Sequence, residues 1–208
     1  MSSPVTLIDR VEALLAPGAP LPLVLAGDPA LRRPADPYDG ELPPALLADL
    51  LAAMRVTMRE APGVGLAAPQ IGLGVRIAVI EDPSPLPTEA SLVRDRRPVP
   101  FRVIVNPRYE AVGDVAAEFY EGCLSVPGYQ AVVRRALTVR LRGQDETGAE
   151  LDEEVRGWPA RIVAHETDHL DGTLYLDRAY TRSLASTQVL QEHWTRPDVG
   201  LSRELLGF

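Results

Sequence analysis

A chain of 208 residues with 46% hydrophobic content is long enough for one well-buried domain. Its net charge of −8 repels phosphate backbones at long range and argues against direct nucleic-acid binding, so any passing contact with a ribosome would need a local basic patch. The start, MSSPVTLIDR, lacks a basic-then-apolar export signal and no stretch approaches about 18 consecutive apolar residues, so the expected location is the cytoplasm, away from membranes.

In chain order, residues 1–24 combine a helical run from Thr6 to Leu15 with Pro17, Pro20 and Pro22, which reads as an N-terminal extension. The main domain spans 25–180. Apolar residues recur at Leu46, Leu47, Leu50, Leu51, Met54 and Met58, a helical stripe that begins at Pro43-Pro44 and ends at Glu60-Ala61-Pro62-Gly63. Next, Gly63-Val64-Gly65-Leu66-Ala67-Ala68-Pro69-Gln70 reads as a glycine-rich loop. It misses the dinucleotide pattern, because Ala68 stands where a third glycine belongs and no strand precedes it.

Arg76 to Glu81 reads as a strand, and residues 82–100, with five prolines and the charged run Arg94-Asp95-Arg96-Arg97, as an inserted surface loop. Strands are then expected over 102–106, 109–112, 115–120, 130–133 and 137–143, followed by a turn at Asp145-Glu146-Thr147-Gly148. Their period near two suits an antiparallel sheet. A helix from Pro159 through Asp171 ends at Gly172, and residues 181–208 form a tail whose apolar patch (Leu201, Leu205, Leu206, Phe208) could fold back or meet a partner.

That last long helix carries His165-Glu166-Thr167-Asp168-His169, two of the three histidines in the chain. Residues four apart share a helix face, so His165 and His169 can offer nitrogens to one metal ion, with Glu166 beside them to hold a water. A surface helix with two unconnected histidines is the competing reading. Two histidines do not complete a catalytic site, which needs three protein ligands and an open position. Zinc endopeptidases with this spacing take a third ligand downstream, but Tyr175 stands where one branch has histidine, and Glu192 and Glu204 lie in the tail.

Upstream, Cys123 in Glu121-Gly122-Cys123-Leu124-Ser125 follows a strand. As the only cysteine it forms no internal disulfide, and three readings remain: buried hydrophobe, metal ligand or nucleophile. A nucleophile would need a base, and both nearby candidates are histidines already at metal-ligand spacing.

Together, GVGLAAPQ, EGCLS and HETDH, in this order, resemble the peptide deformylase family over roughly residues 25–178. The insert before FRVIVNP and the segment GWPARI resemble the organelle-type and actinobacterial branch. The resemblance implies an α+β fold with antiparallel sheets around a central metal-binding helix. It implies hydrolysis of the formyl group from the N-terminal formyl-methionine of nascent chains, releasing formate. Cys123, His165 and His169 would hold one divalent metal, Fe2+ as the usual native ion with Zn2+, Ni2+ or Co2+ as substitutes, and Glu166 would be the general base. Gln70 and the backbone N–H of Leu124 match the donors to the oxyanion. Val64, Phe119, Leu124, Trp158 and Ile162 match the methionine pocket, and Gly63, Gly65 and Gly122 leave room for the substrate backbone. Glu121 and Arg135 match a supporting salt bridge. Ala164 departs from the usual glutamine before the first histidine, and Gln130 from an arginine of the cleft. Alternatives of another class are a zinc endopeptidase and a closed, non-enzymatic metal site; a monomer and a homodimer are both compatible with the chain.

Overall fold

The computed structural model describes residues 5–83 and 88–208; residues 1–4 of the extension and 84–87 of the insert lie outside the described residues. Its elements are α1 (Leu7–Leu15), α2 (Pro44–Glu60), β1 (Gly65–Ala67), β2 (Ile77–Asp82), α3 (Glu89–Val93), β3 (Val99–Ala111), β4 (Ala116–Cys123), β5 (Val126–Ala136), β6 (Thr138–Gln144), β7 (Glu150–Arg156), α4 (Trp158–Leu170), β8 (Ala185–Ser186), α5 (Thr187–His193) and α6 (Gly200–Leu206). Two antiparallel sheets form, one in the order β1-β2-β3-β6-β7 and one in the order β4-β5-β8.

Side chains alternate across a strand, and at β1, β2 and the middle of β3 both faces of the larger sheet are covered. Leu66, Ile77, Val79, Val103 and Val105 join the apolar stripe of α2, which buries Leu47, Leu50, Leu51, Met54 and Met58. The neighbouring residues Ala67, Ala78, Ile80 and Ile104 face the other way and pack with Ala160, Ile162 and Val163 of α4. The helix with the histidine pair therefore lies with one side buried against the sheet, where each buried Ile or Val side chain contributes about 1.5–3 kcal/mol.

The start of α4 is fixed by the insert. Gly157 has φ +74, and a Cβ there would lie 2.3 Å from the Asp95 carbonyl oxygen, which accepts from the Trp158 N–H at 3.2 Å. Only glycine allows this approach. The insert is thus more than a surface loop: it contains α3 and holds the first turn of α4.

Other expectations shift in detail. The two strands foreseen over 102–106 and 109–112 are one strand, β3, irregular between Val105 and Arg108 where Pro107 has no N–H to pair. The middle of the glycine-rich loop is β1, paired with β2, followed by a 3-10 turn over Ala68–Ile71. Strand β7 was not expected. Its sequence Glu-Leu-Asp-Glu-Glu-Val-Arg is strongly charged, yet Leu151 and Val155 reach the core while it pairs with β6. In the tail, Trp194, Val199 and Phe208 pack onto Tyr120 and Val132 of the smaller sheet.

Candidate metal centre and cleft

One turn of α4 separates His165 from His169, and their ring centroids lie 5.0 Å apart. Cys123, at the end of β4, meets them from the other sheet: its Sγ is 3.2 Å from His169 Nε2. The possible ligand atoms of Cys123, His165 and His169 all fall within 4.8 Å of one another, the one such group among the described residues. Thiolate and imidazole are donors that first-row divalent ions accept. Beside them Glu166 Oε2 is buried with no hydrogen-bond partner, an atom that a bound ion and its water would satisfy. The residues present therefore fit a catalytic metal.

The electrostatics around the group follow from burial. Burial drives the His169 imidazole well below its ordinary value, leaving a neutral ring suited to a metal. For His165 burial acts in the same direction, but its hydrogen bonds with Cys123 and Glu121 prevail and hold it above its ordinary value. Burial pushes the Glu166 carboxyl up to about 7 against the charges of His165 and Arg135, near the range in which a carboxylate both takes and returns a proton at neutral pH.

A second ring of contacts orients the ligands. His165 Nδ1 lies 3.1 Å from Glu121 Oε2, which leaves its other ring nitrogen for a metal. Arg135 donates to both Glu121 oxygens at 2.7 and 3.0 Å and to Asp168 at 2.8 Å. Arg161 donates to Glu121 at 2.5 Å, while Asp168 also accepts from Arg178 and from the Tyr109 hydroxyl. Burial alone would raise the Glu121 carboxyl, but the Arg135 charge and the hydrogen bonds with His165 and Arg135 hold it well below the usual range. The Glu121 and Arg135 side chains are each only 4% exposed.

Gln70 is fixed with its amide toward the thiol. Its Oε1 accepts from the Ala67 N–H at 2.9 Å, so its Nε2 donates toward Cys123 Sγ at 3.5 Å and Ser125 Oγ at 3.2 Å. Gln70, Glu121, Cys123, His165 and Glu166 border a cleft of about 660 Å³, which His169 and Arg135 do not line. Of the residues singled out from the sequence, Gly63, Val64, Gly65, Gln70, Gly122 and Leu124 line it on one side, with Trp158, Ile162, His165 and Glu166 of α4 on the other. Gln130 also lines it and packs against Gly122. Phe119 does not line the cleft: its ring packs edge-on to Trp158, centroids 6.3 Å apart, and the larger ring takes the cleft position. Arg94, Arg96 and Arg161 also border it, and sequence reasoning gave none of them a role there. The charged run at Arg94 was visible, but nothing local in the sequence marks Arg161 or Asp168.

A family model for polypeptide deformylase matches residues 20–184. The chain belongs to this family. Peptide deformylase 3 of Streptomyces avermitilis is 63% identical over 202 residues, covering 97% of this chain and 90% of that protein. The chloroplastic peptide deformylase 1A of Solanum lycopersicum is 43% identical over 174 residues, 81% of this chain and 62% of that protein. Among solved structures, the Met-Ala-Ser-bound class I type b peptide deformylase of Acinetobacter baumannii matches with a TM-score of 0.65 at 35% identity, over 76% of this chain and 97% of that one. The deformylase resemblance carried by GVGLAAPQ, EGCLS and HETDH, and the α+β fold it implied, are borne out. Deformylase membership favours neither the endopeptidase nor the closed structural site.

Proposed function

We propose that this deformylase hydrolyses the formyl amide of N-terminal formyl-methionine with Glu166 as its proton carrier and Cys123, His165 and His169 as the holders of one divalent ion. What supports the reading is the convergence of three ligand atoms within 4.8 Å beside a buried Glu166 oxygen that has no partner. Ferrous iron is the proposed native ion, with zinc, nickel or cobalt as substitutes, since Cys-His-His ligation accommodates them all. When bound, such an ion supplies Lewis-acid polarisation of a carbonyl and acidification of a water molecule.

The protein's own groups carry the rest. Glu166 takes a proton from the attacking water and returns it to the departing amine, so that formate and a free methionyl N-terminus leave. The Gln70 amide, aimed by Ala67, and the Leu124 N–H donate to the formyl oxygen as charge grows on it, each worth about 2.7–4 kcal/mol in such sites. Val64, Leu124, Trp158 and Ile162 form an apolar channel for the methionine side chain, with Phe119 supporting Trp158 from behind. Gly63, Gly65 and Gly122 keep the walls thin for the peptide backbone, while Glu121 and Arg135 hold His165 in place.

No described helix is long and apolar enough to cross a membrane. We place the enzyme in the cytoplasm, acting on nascent chains with transient ribosome contact, as a monomer or homodimer. Residues 25–180 are its catalytic domain, flanked by the extension 1–24, whose described part packs against α2, and by the tail 181–208. The test is formate release from formyl-Met-Ala-Ser by anaerobically prepared protein, with metal content measured on the same sample. Glu166→Gln should keep the metal and lose about 10²-fold or more of turnover. Metal-loaded protein that released no formate would overturn the reading.

A further inference from the structure

The insert between β2 and β3 delivers into the cleft a guanidinium that no carboxylate among the described residues neutralises. Three arginines surround Trp158: Arg94, Arg96 and Arg161, with guanidinium carbons 5.3, 5.9 and 5.8 Å from the ring centroid. Arg96 is held by both Asp82 oxygens at 2.8 Å, and Arg161 by Glu121 and the carbonyls of Val133 and Ala117. Among the described residues Arg94 has no such partner. It also lies over the Phe119 ring at 5.6 Å, and its Nε is buried without a hydrogen bond. Two aromatic faces replace part of the hydration this cation gives up, but its buried Nε–H stays unmatched, while the rest of the guanidinium borders the open cleft.

The position of Arg94 along the cleft indicates what that ligand group is. Trp158, Ile162, His165 and Glu166 all face the cleft from α4, at the spacing of one helix face. At about 1.5 Å rise per residue, Trp158 lies roughly 10 Å from His165 along the axis. On the deformylase reading, on which this inference rests, the formyl group sits at the His165 end and the first side chain runs over Ile162 toward Trp158. Arg94 borders the cleft at that Trp158 end.

We propose that Arg94 is a specificity-determining residue that donates hydrogen bonds to the distal acceptor of the first side chain, so that peptides beginning with N-formyl-methionine sulfoxide are substrates. The thioether sulfur of methionine is a weak acceptor, and the sulfoxide oxygen a far stronger one on a side chain of the same length. Norleucine has that length without an acceptor. The order of benefit from Arg94 is therefore sulfoxide, then methionine, then norleucine.

The test compares kcat/KM for formyl-Met-Ala-Ser, its methionine-sulfoxide form and its norleucine form on the metal-loaded wild type, Arg94→Met and Arg94→Lys. Ratios taken within one preparation are insensitive to loss of folded protein. The sulfoxide-to-norleucine ratio should fall about tenfold or more in Arg94→Met, as expected for one lost hydrogen bond to a charged group, and recover in part in Arg94→Lys. The methionine-to-norleucine ratio should fall less. An unchanged sulfoxide-to-norleucine ratio in Arg94→Met would overturn the assignment. A selective loss on formyl-Met-Asp-Ser with that ratio unchanged would also overturn it and direct the guanidinium to the second residue instead. If the wild type released formate from none of the peptides, the deformylase reading itself would fall, a result distinct from active enzyme with an unchanged ratio.

Discussion

Gly65 packs so closely on Glu166 that a Cβ at position 65 would lie 2.1 Å from Glu166 Oε1 and 2.5 Å from its carboxyl carbon. The glycine is required by this approach, since β1 pairs with β2 as ordinary extended strand. Gly65→Ala should push the carboxylate out of line. A misplacement of about 1 Å can cost on the order of 10²-fold in rate, so turnover of formyl-Met-Ala-Ser should drop by one to two orders of magnitude while metal content holds. Full turnover in this variant would show that the carboxylate position is not what limits the reaction.

Glu121 joins the metal site to the buried charges behind it, because its oxygens meet His165 Nδ1, Arg135 and Arg161 at once. Glu121→Gln keeps the shape and removes the charge. The imidazole loses its anionic partner, and metal affinity should fall about 10–100-fold, read by competition with a chelator. Arg135 and Arg161 also lose a counter-charge, so the melting temperature should fall as well. An unchanged affinity would mean that the Glu121 charge contributes nothing to holding the ion through His165.

How far the sequence carried this picture differs from residue to residue. His165, Glu166 and His169 were legible because helical period alone puts them on neighbouring faces. Cys123 was different: spacing left three readings open, and only the combined motifs chose among them. Its approach to His169 spans 46 residues and joins the two sheets, a relation with no local signature. The helical stripe of α2 was visible for the same reason as the histidine pair. Strand β7 was hidden by acidic residues on its outward face, and β1 by its three-residue length. Arg161 and Asp168 could not be read at all, because their partners, Glu121 for Arg161 and Arg135 for Asp168, are distant in sequence and a buried charge then looks like a surface one.

Glu81 gives the fold a defined acid sensitivity. Its carboxylate accepts paired hydrogen bonds from Arg55 at 3.0 and 2.6 Å and from Arg59 at 2.8 and 2.8 Å. The Arg55 hydrogen bond is the largest influence; with those of Arg59 it outweighs burial and lowers the carboxyl from 4.5 to about 2. A depressed folded-state value stabilises the protein above the unfolded value and is lost as pH falls between the two. With both arginines partly exposed to solvent, the contribution is about 1–2 kcal/mol. Thermal melts should show Glu81→Gln less stable than the wild type at neutral pH, the gap closing as pH drops from 4.5 toward about 2. A gap that stayed constant over that range would rule out the ion pairs as its source.

Removing the metal should be felt in stability as well as in activity. Cys123 ends a strand of the smaller sheet and His169 sits near the end of α4, so an ion held by both ties the ends of β4 and α4 together. An ion that binds only the folded chain stabilises it by RT ln(1 + [L]/Kd), about 4 kcal/mol at a thousandfold excess over Kd. Chelation should therefore lower the melting temperature by roughly 8–16 °C for a chain of this size, at the usual 2–4 °C per kcal/mol. Returning a divalent ion should restore it. In Cys123→Ser the chelator should have a much smaller effect, because the hydroxyl is a poorer ligand than the thiolate. Equal responses to chelation in the wild type and in Cys123→Ser would show that Cys123 does not hold the ion.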